Sequence, residues 1–204
     1  MAITKLDLTK AVSGTMPVGN GGTGVTSAAD LANTGNMVKL NSVTTTDATI
    51  STITFDSTYI NSTYDRYFII GRVRMNTDGA STRMRFSESG TFQSGASYYG
   101  LGYNDDSGSG TNDNDRNDLV VTQIIGNASG EGGSFTLYLD SFNSTTIPSS
   151  GMWNSSTRSN AGFHGLNVGS GIVNNGNAHD GVRFFPSTGY FASDTSLTLY
   201  GVKE

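Results

Sequence analysis

Apolar side chains recur every second residue along this chain from Asn36 onward, and nowhere do they repeat at the spacing of a long helix. Met37-Val38-Lys39-Leu40 opens the pattern, and Ile50, Ile53 and Phe55 mark the next run. The clearest strand follows, with Tyr67, Ile69, Gly71, Val73 and Met75 alternating against Phe68, Ile70, Arg72 and Arg74. Thr82-Arg83-Met84-Arg85-Phe86 alternates in the same way, so the two segments read as a hairpin with Asp78-Gly79 in its turn. That hairpin would put Arg72, Arg74, Arg83 and Arg85 on one side. Like charges opposite one another are unfavourable, so carboxylates are expected to pair with at least two of them. Further strands are expected at 97–103, 119–125, 135–142, 161–168, 181–185 and 197–202, each bounded by Gly, Asn, Asp or Ser. Many short strands without a long helix predict an all-β fold, an antiparallel β-sandwich or jelly roll over residues 36–204.

Residues 1–35 break this pattern. Ile3, Leu6, Leu8 and Val12 are scattered without a period, and glycines then surround Pro17. The one helix-like stretch is Thr26 to Ala32, capped by Ser27. Too few apolar residues are present for a core of their own. The segment therefore reads as an extended N-terminal arm ordered by docking on a partner, with Ile3, Leu6, Leu8, Met16, Pro17 and Val18 as its contact residues. The closing 196–202 strand reads as buried, which leaves attachment to that arm.

Composition narrows the function. Hydrophobic residues make up 35% of 204, below ordinary globular usage, so the core is thin. Gly, Ser, Thr and Asn fill nearly half the chain, which suits loop-rich β-structure. Without Cys there is neither a disulfide framework nor a thiolate metal site, so stability is expected from oligomerisation. A net charge of -5 argues against a nucleic-acid partner. No basic region precedes an apolar run, so no signal peptide is read, and no stretch is long enough for insertion in a membrane.

Motifs for catalysis are missing from the sequence. There is no Gly-x-Ser-x-Gly elbow, no HExxH and no GxxxxGK[ST] loop, and the two histidines, His164 and His179, sit in different segments. His179 with Asp180 is the pair a hydrolase would use, but neighbouring side chains on a strand diverge. The chain is read as a non-enzyme without a cofactor. The run from Asn104 to Asp118 is dense in oxygen ligands but lacks the Gly and distant Glu of an EF-hand loop, so it is read as a solvated loop and no metal is assigned. Tyr98, Tyr99 and Tyr103 before that loop, Asp105 and Asp106 within it, and Trp153 in another polar stretch offer the flat apolar faces and hydrogen-bonding groups of sugar recognition. Core packing of two or three of those rings is the competing reading.

The most specific signal is Gly14-Thr15-Met16-Pro17-Val18-Gly19-Asn20-Gly21-Gly22-Thr23-Gly24. It resembles the G-T-L-P-V-x-N-G-G-T-G segment that recurs in tail-fibre and related virion proteins of tailed bacteriophages, with Met16 in place of the more usual Leu. The Met1 to Leu8 start and the Leu197 to Lys203 close also look like small structural proteins of phages from aquatic hosts, so the resemblance covers the ends and not the middle. The resemblance implies a virion location and a homotrimer, with the arm contacting other tail or capsid proteins. The favoured expectation is a tail-fibre or tail-tip surface protein that touches a host-surface glycan. Its rivals are a capsid head-decoration protein and, in a different class, a glycan depolymerase or esterase.

Overall fold

A computed structural model describes residues 37–47, 49–95, 98–104, 109–159 and 164–203. The arm residues Ile3, Leu6, Leu8, Met16, Pro17 and Val18, and the Thr26–Ala32 turn, lie outside them. Thirteen strands and no helix occur among the described residues: β1 Met37–Thr44, β2 Ile53–Phe55, β3 Arg66–Val73, β4 Thr82–Glu88, β5 Thr91–Phe92, β6 Tyr98–Asn104, β7 Ser109–Arg116, β8 Leu119–Val120, β9 Gly132–Asp140, β10 Ser150–Arg158, β11 His164–Val173, β12 Gly181–Pro186 and β13 Ser196–Val202. All pairings are antiparallel. One sheet has eight strands in the order β1-β13-β3-β9-β10-β11-β6-β7; the other is built from β2-β12-β4-β5, with β8 alongside β4. The fold is the expected all-β sandwich, with unequal sheets.

Alternation explains the core. On the large sheet Tyr67, Ile69, Leu137, Leu139, Leu197 and Leu199 turn inward, and on the small sheet Ile53, Phe55, Met84, Phe86, Val182 and Phe184 meet them. Aromatic edges knit the two layers: Phe86 lies 4.6 Å from Phe142 and 5.9 Å from Tyr98, centroid to centroid. Where a bulky ring crosses the sheet, the strand beneath it carries glycine. A Cβ on Gly71 would sit 2.3 Å from the Phe135 ring, and one on Gly169 would sit 2.5 Å from the Trp153 indole. Glycine is thus a packing residue here, and the thin hydrophobic fraction still closes a core.

Three local expectations are corrected. β3 and β4 do not form a hairpin, because the chain crosses from the large sheet to the small one through the Asp78-Gly79 turn. Both segments satisfy their alternation by facing one core from opposite sides. The four arginines therefore do not share a face, although three of them do find carboxylates. Arg83 Nη1 lies 2.9 Å and Arg85 Nη2 3.5 Å from the buried Asp118, and Arg74 lies 3.9 Å from Asp194. The run read as a loop from Asn104 to Asp118 contains β7, an edge strand whose Ser109 to Arg116 pairs with β6. Of the strand expected at 119–125, only the two residues of β8 pair in a ladder, and Ile125 makes a single bridge to Ala80.

Candidate interaction surface

Because successive side chains on a strand point to opposite faces, adjacent tyrosines in β6 part company. Tyr98 is wholly buried; its hydroxyl accepts from the Phe86 N–H at 2.8 Å and donates to the Gln93 carbonyl at 3.2 Å, tying β6 to the opposite sheet. Burial pushes its phenol far above the usual tyrosine range. Trp153, at 3% exposure, is likewise a core ring. Neither presents the exposed face expected of a sugar platform, since a Trp and a Tyr on inward positions gain more by closing the core. Tyr99 turns outward and is half-buried. The side chain of Tyr103, and Asp105 and Asp106, lie outside the described residues.

The outward face of the eight-stranded sheet was not singled out by the sequence patterns, and it is unusually apolar. The register sets up a row across seven strands: Lys39, Tyr200, Phe68, Tyr138, Met152, Ser170, Leu101. At about 4.8 Å per strand the row spans about 30 Å. Leu101 is 60% exposed, Met152 55%, Tyr138 51% and Ile70 46%. Leu166, Val168 and Ile172 line the same side of β11. Together these seven side chains expose on the order of 600 Å² of mostly apolar surface, at the upper end of what a monomer tolerates as its largest patch.

Two features with different shapes lie on this face. One is an aromatic ridge in which Phe68 stacks 4.7 Å from Tyr138 and 6.4 Å from Tyr200. The other is a groove of about 540 Å³ between β10 and β6, bounded by Tyr99, Leu101, Tyr138, Met152 and Ile172 and relieved by the small Ser150 and Ser170. Asp140 lines one end of the groove, where it meets Arg66 at 3.4 Å. The signal that would have revealed the face is in β3, whose outward set of Arg66, Phe68, Ile70 and Arg72 carries two large apolar side chains at its middle. A strand apolar on both sides is usually covered on both.

His179 occupies the core. Its Nδ1 is 2.8 Å from Ser149 Oγ, both side chains are wholly buried, and the ring packs against Phe86 and Phe142. Asp180 turns away and accepts from Ser87 Oγ at 2.6 Å and the Gly90 N–H at 2.9 Å. His164 is exposed at the start of β11, so the two histidines share no site. Burial, opposed by Glu88 and Asp180, holds His179 below the ordinary histidine range. Protonating the ring is therefore harder in the folded chain than in the unfolded one, which takes up the proton below about pH 6.5. Stability is expected to fall as pH drops from 6.5 towards 5, with a slope of at most ~1.4 kcal/mol per pH unit from this one group. Urea titrations across that range should show this slope in the wild-type chain and lose it in His179→Gln; equal slopes would assign the pH effect elsewhere.

No protein-family model matches the sequence, and no curated protein matches it. Among solved structures, a Shewanella oneidensis MR-1 protein of unknown function aligns over 86% of this chain and 83% of that one, at 7% identity and a TM-score of 0.22. A likeness that slight carries no argument about fold or function.

Proposed function

We propose that this chain is a surface structural protein of a tailed-bacteriophage particle, a non-enzymatic homotrimer held together through the outward face of its eight-stranded sheet and fixed to the particle by residues 1–35. The observation that carries the assembly is the apolar face itself. Its ridge and its groove adjoin at Tyr138 and are complementary in shape, and a ridge-into-groove contact repeated about a threefold axis joins them in the trimer that the resemblance implies. The patch, on the order of 600 Å², is near the largest a monomer exposes and supplies the apolar centre of an interface to which each partner of standard size contributes about 800 Å². The chemistry also selects the occupant: a mostly apolar face whose groove-end carboxylate, Asp140, is already paired with Arg66 of the same chain fits a second copy of itself.

The virion assignment rests on the Gly14 to Gly24 segment and the resemblance it carries. β1 begins at Met37 on the edge of the large sheet, paired with Val202 of β13, so the arm leaves from that corner. An extended arm of 35 residues spans on the order of 100 Å, enough to cross a neighbouring subunit and reach a tail or capsid groove. Deleting residues 1–24 is expected to leave β-type circular dichroism unchanged and to abolish incorporation into particles. Normal incorporation would move the anchor onto the sandwich. Locating the chain in a reconstruction of the particle separates tail from capsid, and absence from the particle removes the virion reading altogether.

A further inference from the structure

Where β3 and β10 finish and β9 and β11 begin, the outward face of the large sheet turns from apolar to basic. Arg72 faces Ser134 across β3 and β9, and Ser134 faces Ser156 across β9 and β10. One step further along the same face, Arg158 stands between Gly132 and His164. Arg74 reaches Gly132 from the other side, since a Cβ on that glycine would lie 3.5 Å from Arg74 Cγ. The result is an open basin of about 510 Å³. Its walls are Arg72 and Arg74 on one side and Arg158 and His164 on the other, and between them β9 contributes only Gly132, Gly133 and Ser134.

Three arginines and one carboxylate, Glu131, line this basin, on a chain whose net charge is -5. Glu131 folds back on its own turn, where Oε2 accepts from the Ala128 N–H at 2.7 Å, and among the described residues it pairs with none of the three arginines. Arg72 donates from Nε to the Asp194 carbonyl at 3.2 Å, which steadies the group and leaves both Nη atoms. Arg74 Nη1 stands 3.9 Å from the Asp194 carboxylate, a long and exposed contact. Arg158 makes no ion pair among the described residues, and its Nη1 would lie 3.8 Å from a Cβ on Gly130, so the guanidinium leans over the glycine turn that borders the basin. Like charges gathered on neighbouring strands are unfavourable unless an anion lies among them.

The arrangement selects the shape of that anion. Arg74 and Arg158 flank β9 on either side, about 10 Å apart at the backbone, with the Ser134 and Ser156 hydroxyls beside them. A carboxylate has two coplanar oxygens, which one guanidinium fork can satisfy. A phosphate or sulfate group directs oxygens towards both walls and the floor at once. A metal cation meets three guanidinium groups, and a neutral group leaves their charge uncompensated. From this we infer that the basin is a binding site for a tetrahedral oxyanion, a phosphate or sulfate group held between Arg74 and Arg158 with Arg72 in support. The site is built within one chain and needs no partner copy. It shares the outward sheet face with the apolar patch, Ser134 lying four residues along β9 from Tyr138, about 13 Å.

Phosphorus NMR of inorganic phosphate, whose line broadens on exchange with the full chain, tests the site at an ionic strength fixed with sodium chloride. Saturable broadening is expected, reversed by sulfate but not by acetate, with affinity at least tenfold weaker in Arg158→Gln and unchanged in Arg183→Gln, the same charge change on the opposite sheet. Glucose 6-phosphate separates the sources: tighter binding than free phosphate supports a phosphorylated sugar in the site, and weaker binding supports the free ion. The sulfate and acetate competition in the wild-type chain decides the matter even if Arg158→Gln misfolds. No saturable broadening, equal reversal by acetate, or an equal loss in Arg183→Gln would overturn the inference and leave a solvated basic patch. Light scattering of the same samples keeps this test apart from the trimer, since a monomer that binds phosphate supports the site while removing the oligomer.

Discussion

Replacing Met152 with glutamate is expected to turn the proposed trimer into a folded monomer. Met152 is 55% exposed on the outward side of β10, with Tyr138 and Ser170 as its flanking partners in the register. In one chain the glutamate would stand in water and cost little. In the assembly every copy would bury a carboxylate against apolar surface without a cation opposite, and unpaired burial costs several kcal/mol per charge. A loss of about 4 kcal/mol weakens association about a thousandfold, enough to give monomer at micromolar concentration. Ile147→Glu is the matched control, since Ile147 is 59% exposed but lies off the sheet, between β9 and β10. Its mass should equal the wild type's. If Met152→Glu retains the wild-type mass, the contact surface is elsewhere.

The second large effect lies in the core. Phe142 follows β9 through Ser141, which takes a positive φ of 60° and swings the ring inward beneath Phe86. It also meets Tyr67 edge-on at 6.3 Å and His179 at 6.1 Å, joining both sheets to the buried histidine. Phe142→Ala removes a fully buried ring from a site whose neighbours are themselves rigid rings, so little collapse will refill the space. A loss of about 3–5 kcal/mol is expected, against total stabilities of about 5–15 kcal/mol for domains generally. Urea unfolding should show the midpoint moving sharply with an unchanged slope. A loss under about 1 kcal/mol would mean that the site relaxes and that these rings do not clamp the layers.

How much of this was legible in the sequence differs from strand to strand. β3, β9, β12 and β13 announced themselves because their inward positions are large and apolar: Tyr67 and Ile69, Leu137 and Leu139, Val182 and Phe184, Leu197 and Leu199. β10 was invisible because its inward set is Gly151, Trp153, Ser155 and Thr157, small except where one indole spreads over the glycine of its neighbour. β7 was hidden for a different reason. Asp, Asn and Gly are poor strand formers, and it is backbone pairing with β6 that holds Ser109–Arg116 at the sheet edge. The false hairpin came from two correct alternations joined by a correct turn, which local pattern alone cannot assign to one sheet or two. Of the residues named for sugar contact, Tyr98 and Trp153 were drawn inward by the alternation that the β6 tyrosines themselves display. Arg83, Trp153 and Asn167, far apart in sequence, line one cavity because strand order brings them together. Only the fold could show them.

One measurement bears most directly on the claim that the outward sheet face joins three copies. Light scattering of the full chain at micromolar concentration should give three times the chain mass of 21.4 kDa. A stable, well-folded species of 21.4 kDa under those conditions would contradict it.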